Sequence, residues 1–181
     1  MVTTLGRNRA STGGAFEPVC GIAGVLRVDG ARVRPDLLRE MVSRLAHRGP
    51  DSRGVATLDG VGLGHARLSI IDPALGRQPM SIRDGELTLT YNGEIFNYLE
   101  LRDELAGQGH RFRTGSDTEV VLRAYDEYGV ECVHHFNGQW AFALWDARRR
   151  RLFLSRDRLG IRPLFYARTK KTGAREEFVF A

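Results

Sequence analysis

The sequence is poor in cysteine and lacks a long apolar run, and each scarcity excludes a class of protein. The two cysteines, Cys20 and Cys132, can build neither a disulfide framework nor a four-cysteine zinc site. No apolar stretch approaches the ~20 residues needed to span a bilayer. Residues 1–19 also lack the apolar segment of a secretory signal. These absences favour a cytoplasmic protein that does not enter membranes.

Lysine is almost missing as well, since Lys170 and Lys171 are the only two. The formal charge of +5 therefore comes from arginine, and it raises the question of nucleic-acid binding. The arginines are spread along the chain and interleaved with Asp and Glu, and the dense run 148–151 is predicted to form a hairpin turn. No module of stacking aromatics and basic residues accompanies them. We therefore predict no nucleic-acid partner.

Hydrophobic periodicity predicts strands towards both ends of the chain and helices between them. An α+β fold of sheets packed under helices follows, in one domain at this length. Two capping boxes, Asn97 with Glu100 and Ser116 with Glu119, are predicted to open helices. Cys132 is predicted to be a buried structural thiol on a short helix. The predicted strands are residues 22–28, 55–58, 61–68, 86–91, 140–145, 152–155 and 178–181, and the predicted helices are 36–46, 97–105 and 116–129.

Cys20 stands directly before a strand of small residues and becomes a reactive centre if the chain begins there. A free α-amine has a pKa of about 7.7–8.0 and a thiol one of about 8.5. The amine could then take the thiol proton near neutral pH without help from a histidine. If the peptide bond to Val19 stays intact, Cys20 is an ordinary cysteine.

Three polar clusters could complete a site around that thiol. Arg67 could clamp a carboxylate, Asn92 and Gly93 could stabilise an oxyanion, and Asp117 could hold an ammonium. Taken singly, a surface salt bridge, an Asn-Gly turn and a helix cap explain them as well. Together with Cys20 they suit a substrate with an α-carboxylate, an α-ammonium and a reactive side-chain carbonyl. Glutamine is such a substrate.

Six motifs in a specific order and spacing carry a family resemblance. They are Cys20-Gly21-Ile22, His47-Arg48-Gly49-Pro50-Asp51, Arg67-Leu68-Ser69-Ile70-Ile71, Asn92-Gly93-Glu94, Gly115-Ser116-Asp117 and Arg156-Asp157-Arg158-Leu159-Gly160. From residue 20 to 181 the chain resembles the glutamine-hydrolysing N-terminal domain of asparagine synthetase, a class II glutamine amidotransferase of the N-terminal-nucleophile hydrolase type. The arginine-loop motif favours this branch over sibling families that act on sugar-phosphate or phosphoribosyl acceptors.

The resemblance implies a four-layer αββα sandwich and a role for each motif residue. Cys20 would be the nucleophile with its own α-amine as base, and no metal is expected. The Asn92 side chain and the Gly93 N–H would form the oxyanion hole. Arg67 would bind the α-carboxylate of glutamine, and Glu94 and Asp117 would bind its α-ammonium. The other residues expected to contact glutamine are Asn92, Gly93 and the main chain of Leu68, Ser69, Ile70 and Ile71.

The chain departs from the family pattern at its beginning, because residues 1–19 precede the nucleophile. We expect translation to start at Val19, since a GTG start codon is written as valine when it is taken as internal. Removal of a propeptide and a permanently blocked Cys20 are the alternatives.

A second departure is that no ATP-pyrophosphatase loop of the type Ser-Gly-Gly-x-Asp-Ser occurs. We expect the chain to stop before the synthetase domain. The resemblance implies ATP and Mg²⁺ for that domain, and no cofactor is expected in this chain. Its expected partners are L-glutamine and a synthetase domain or separate chain that amidates aspartate; a homodimer is left open. A non-catalytic interaction domain, or an amidotransferase for another acceptor, remain the alternative functions.

Overall fold

The computed structural model describes residues 19–68, 76–169 and 176–181. Within them, every predicted helix and strand forms, at bounds shifted by a few residues. The α-helices are α1 (Pro35–Arg44), α2 (Tyr98–Gly107) and α3 (Asp117–Tyr128). The strands are β1 (Gly21–Arg27), β2 (Ser52–Leu58), β3 (Val61–Arg67), β4 (Met80–Ile82), β5 (Leu87–Ile95), β6 (Gly138–Asp146), β7 (Arg151–Arg156), β8 (Tyr166–Thr169) and β9 (Glu177–Phe180).

The strands form two stacked antiparallel sheets that lie between helices. One sheet has the order β2-β3-β1-β9-β8 and the other β4-β5-β6-β7. Helix α1 packs on the first sheet, α3 packs on the second with α2 beside it, and β5 contacts β1 and β3 across the interface. The predicted α+β fold with four layers in the order αββα is confirmed.

Strand alternation in β5 directs one face towards the helices and the other towards the opposite sheet. Leu89 and Tyr91 belong to the apolar core beneath α3. Thr90, on the opposite face, donates from its hydroxyl to the Gly64 carbonyl of β3 at 3.0 Å. The same parity places Asn92 between the sheets, close to the beginning of β1.

Both predicted hairpins form with the expected turn residues. Gly60 takes a φ of +71° in the turn between β2 and β3, which a residue with a side chain adopts poorly. The arginine-rich segment 147–150 is the turn between β6 and β7. There the main-chain N–H of Arg149 donates to the buried carboxylate of Asp146 at 2.9 Å.

The predicted capping box at Asn97 is wrong, although Asn97 does precede α2. Its side chain makes no cap hydrogen bond. The Asn97 amide donates to the His135 carbonyl at 3.0 Å, and its oxygen accepts from the Asn137 N–H at 2.9 Å. This side chain fastens the end of β5 to the segment before β6 and is not free to cap the helix.

Only one of the two hydrogen bonds of the predicted capping box at Ser116 forms. The Ser116 hydroxyl accepts from the Thr118 N–H at 3.2 Å, as an N-cap should. The carboxylate of Glu119, 2 % exposed, turns instead to the N–H groups of Arg113 and Thr114 at 2.9 and 2.8 Å. Glu119 therefore orders the segment that leads into α3.

Cys132 lies fully buried in the 3₁₀ turn Gly129–His134. Burial raises the pKa of its thiol to about 12, so it stays protonated at neutral pH. The prediction of a structural thiol is confirmed. Within the described ranges, no helix combines the length and apolar character needed to cross a membrane.

Candidate active site

A pocket opens where β1 begins, where β3 ends and where α3 starts. It is lined by Cys20, Arg67, Leu68, Gly93, Glu94 and Asp117 among the residues singled out in the sequence. Asn92 lines an adjoining cavity together with Gly21, the neighbour of Cys20. The remaining predicted residues, Ser69, Ile70 and Ile71, lie outside the described part of the chain. Segments far apart in the sequence thus meet around one thiol.

Cys20 immediately precedes β1 and contacts the main chain at the end of β3. The Leu68 N–H donates to the Cys20 Sγ at 3.3 Å, and the thiol lies 3.5 Å from the Leu68 carbonyl oxygen. Burial raises the pKa of the Cys20 thiol, an effect opposed by the Leu68 N–H and by the charges of Arg67 and Arg162. The net increase leaves the thiol protonated at neutral pH, so a nucleophilic role requires a nearby base.

The main chain of Cys20 is also fixed from the segment that follows α1. Arg48 donates from its Nε to the Cys20 carbonyl oxygen at 3.2 Å. The sequence placed Arg48 in a family motif but assigned it no role. The geometry gives this arginine a positioning contact with the residue that carries the thiol.

Asn92 and Gly93 do not form a hairpin turn, because β5 continues through them to Ile95. In the ladder with β6 they face Ala141 and Trp140. A Cβ atom added to Gly93 would lie 2.3 Å from the Gln139 carbonyl oxygen and 2.7 Å from the Trp140 Cα. Gly93 is therefore required by close strand packing, and its main chain borders the pocket.

Asp117 is the first residue of α3 and not its cap. It is 4 % exposed, and its Oδ2 accepts from the Tyr91 hydroxyl at 2.8 Å and from the Ile95 N–H at 3.3 Å. Burial raises the pKa of Asp117, while these two hydrogen bonds oppose the increase. Glu94 lies exposed at the rim, and its charge raises the pKa of Asp117 further.

The charges of the pocket are arranged in two groups. Arg67, 5 % exposed at the end of β3, and Arg162 supply positive charge. Glu94 and Asp117 supply negative charge. A zwitterionic amino acid complements both groups with its carboxylate and its ammonium. The thiol of Cys20 borders the same pocket.

Arg162 was missed by the sequence reasoning, although a family motif ends two residues before it. The Asp157 carboxylate fixes the segment that carries Arg162 by accepting several main-chain N–H groups. The donors are Trp140 at 3.3 Å, Leu159 at 3.1 Å, Ile161 at 2.9 Å and Arg162 at 2.9 Å. An aspartate in a Gly-containing loop is the signal that could have indicated such an anchor.

Tyr91 and Gln78 were missed as well. Alternation in β5 predicted Tyr91 only as an apolar face residue, and nothing in the local sequence marked Gln78. Both line the pocket. Their contacts connect β5 to α3. The partners lie far apart in the sequence, so hydrophobic periodicity could not predict these contacts.

Two stacked antiparallel sheets lie between helices, and the cysteine immediately before the first strand borders a pocket that carries charges of both signs. The chain belongs to the glutamine amidotransferase domain family, whose model matches residues 19–181.

Similar proteins agree with this assignment. The chain is 42 % identical over 153 residues to asparagine synthetase [glutamine-hydrolyzing] 3 of Bacillus subtilis, covering 83 % of this chain and 25 % of that protein. It is 40 % identical over 167 residues to putative asparagine synthetase [glutamine-hydrolyzing] 2 of Methanocaldococcus jannaschii, covering 82 % and 32 %. The chain thus spans about a quarter to a third of the length of these relatives.

Solved structures share the fold at low sequence identity. Glutamine phosphoribosylpyrophosphate amidotransferase from B. subtilis superposes with a TM-score of 0.69 at 21 % identity, over 87 % of this chain and 41 % of that one. This likeness independently supports the sandwich architecture.

Proposed function

We propose that this domain hydrolyses L-glutamine to glutamate and ammonia through a γ-glutamyl thioester on Cys20. The observation that carries the proposal is the pocket itself. It sets a thiol beside two arginines and two carboxylates, which suit the carboxylate and the ammonium of one amino acid. Membership of the glutamine amidotransferase family supports glutamine as that amino acid.

In the proposed reaction, the free α-amine of Cys20 takes the thiol proton, and the thiolate attacks the side-chain amide carbon of glutamine. The Asn92 side chain and the Gly93 N–H stabilise the oxyanion. The C–N bond then breaks, and the protonated amine gives its proton to the leaving ammonia. Water hydrolyses the thioester, releasing glutamate and the thiol. A local base is needed because burial raises the pKa of Cys20.

Binding follows from the charges around that thiol. Arg67 would hold the α-carboxylate through its planar guanidinium. Asp117 and Glu94 would hold the α-ammonium, and the main chain of Leu68 and of residues 69–71 would line the pocket. This half of the reaction needs no metal or cofactor.

The fate of the ammonia is proposed from the relatives, which are asparagine synthetases [glutamine-hydrolyzing]. We propose that a synthetase domain or partner chain receives the ammonia and amidates aspartate. ATP and Mg²⁺ would be used there and not in this domain.

The decisive test compares the chain that retains residues 1–19 with one that begins at Cys20. We expect glutaminase activity from the form with a free Cys20 amine and none above background from Cys20→Ala. Cys132→Ala serves as the matched control, since Cys132 is buried away from the pocket and should leave activity intact. Glutamate and ammonia release are measured together with intact mass.

Each other result is informative. Equal activity from a chain whose mass includes residues 1–19 would refute the α-amine as base. Inactivity of both forms would favour the non-catalytic interaction domain.

A further inference from the structure

The hydroxyl of Tyr91 is buried against Asp117. Tyr91 is 2 % exposed, and its O–H donates to the Asp117 Oδ2 at 2.8 Å. Burial and the charges of Asp117 and Glu94 raise the pKa of Tyr91 well above its usual value. The phenol therefore stays protonated and acts on Asp117 only as a donor.

The main chain of Tyr91 is itself held in place by Gln78. Strand β4 pairs with β5 up to Met80, which faces Leu89. Beyond that point the Gln78 side-chain oxygen accepts from the Tyr91 N–H at 2.7 Å. The Gln78 amide also donates to the Thr118 hydroxyl at 3.3 Å. One side chain thus connects the strand that carries Tyr91 to the helix that carries Asp117.

We propose that Tyr91 is a positioning residue that holds one oxygen of Asp117, so that this carboxylate remains an anion available to the ammonium of the substrate. The proposal rests on the glutaminase function proposed above and adds the residue that sets substrate affinity through Asp117.

The electrostatics of the pocket determine what loss of the hydroxyl would do. Burial and Glu94 raise the pKa of Asp117, whereas the Tyr91 hydroxyl and the Ile95 N–H lower it. Without the hydroxyl the pKa of Asp117 rises, and the carboxyl becomes protonated at a higher pH. A neutral Asp117 cannot balance an ammonium, so affinity falls as the pH falls. Among the residues that the structure describes, the other charged or titratable groups that face the pocket are Cys20, Arg67, Glu94 and Arg162.

Tyr91→Phe removes the hydroxyl and keeps the ring. We expect the ratio of the glutamine KM of this variant to that of the wild type to increase as the pH falls and to approach one at high pH. For an increase of about one unit in the pKa of Asp117, the limit of this ratio at low pH is about tenfold. Because Tyr91 does not contact the reacting atoms in this scheme, kcat should change little. The measurement is kcat and KM of the active form across the range of pH in which the protein stays folded.

Tyr125→Phe is the matched control. Tyr125 also donates its buried hydroxyl to a buried aspartate, Asp146, at 3.1 Å, but neither residue lines the pocket. This variant should reproduce any general loss of stability and leave the pH dependence of KM unchanged. A KM ratio for Tyr91→Phe that is flat with pH, or matched by Tyr125→Phe, would overturn the proposal.

A second readout separates this inference from the proposed function. Carbon-13 NMR titration of the Asp117 carboxyl, assigned with Asp117→Asn, needs no catalysis. The midpoint should rise in Tyr91→Phe and stay in place in Tyr125→Phe; an unmoved midpoint in Tyr91→Phe refutes the positioning role. If the wild type hydrolyses no glutamine, the proposed function fails and the titration still decides the role of Tyr91.

Discussion

At the scale of single residues, Arg67 offers the most direct test of substrate binding. A guanidinium clamp on a carboxylate is worth about 1.5–3 kcal/mol. We expect Arg67→Ala to raise the glutamine KM by about 10- to 100-fold, with a smaller effect on kcat. Steady-state kinetics with glutamine measure both constants.

The control for Arg67 is Arg168→Ala. Arg168 is an exposed arginine on β8 that pairs with Glu176 at 2.7 Å. The substitution Arg168→Ala removes the same charge from the chain at a position outside the pocket, and it should leave the glutamine KM unchanged. An unchanged KM in Arg67→Ala would exclude its proposed role.

The sequence singled out residues that the structure brings to one pocket, but it did not predict how each is held. Arg67, Asn92 and Asp117 stood out because their chemistry fits the ends and the side chain of glutamine. Tyr91 did not, because a strand tyrosine on an apolar face is ordinary core. Its hydrogen bond joins it to a residue 26 positions away, and no local pattern encodes such a contact.

At the scale of elements, the segment after β7 depends on one carboxylate. Both oxygens of Asp157 accept main-chain N–H groups, and Asp157 is 5 % exposed. In Asp157→Asn one acceptor becomes an NH₂ group facing donors. We expect a loss of about 3 kcal/mol in the free energy of unfolding, with reduced glutaminase activity because Arg162 is displaced.

Urea denaturation with circular dichroism measures the stability of that variant. Asp59→Asn, in the exposed turn between β2 and β3, is the control and should change stability little. Equal stabilities for the two variants would show that Asp157 does not anchor the segment.

The sequence predicted the elements that have a clear hydrophobic pattern. It failed where contacts between distant segments determine the structure. The strands β1, β3 and β6 follow from runs of seven to nine residues. The sequence predicted neither β4, with three residues, nor β8, with four. It did predict the four-residue β9, which is marked by the apolar run Phe178-Val179-Phe180. The missing cap at Asn97 has the same origin, because His135 and Asn137 capture its side chain.

At the scale of the whole molecule, His65 joins the two sheets. It is completely buried, and its Nε2–H donates to the Tyr91 carbonyl at 3.0 Å. Burial lowers the pKa of His65 to about 4, whereas an unfolded histidine has a pKa of about 6.5. As the pH falls, His65 therefore becomes protonated in the unfolded chain before it becomes protonated in the folded protein.

This difference predicts how the stability of the sandwich depends on pH. The contribution of neutral His65 is fully present above about pH 6.5 and is lost as the pH falls towards 4, about 3 kcal/mol in all. Urea denaturation between pH 4 and 7 should show this slope. His65→Gln should flatten it, and His134→Asn, at an exposed position, should keep it. A slope that persists in His65→Gln would assign the effect to other groups.

The two cysteines differ in solvent exposure, so that a thiol reagent can distinguish them in the folded protein. Cys20 is partly exposed in the pocket, whereas Cys132 is sealed in the core. A small thiol-modifying reagent should consume one equivalent per folded chain, at the very residue proposed as nucleophile. The fraction of chains with an accessible nucleophile can thus be counted by stoichiometry alone, without engineering the protein. Unfolding doubles the count, so the same reagent reports the loss of the core.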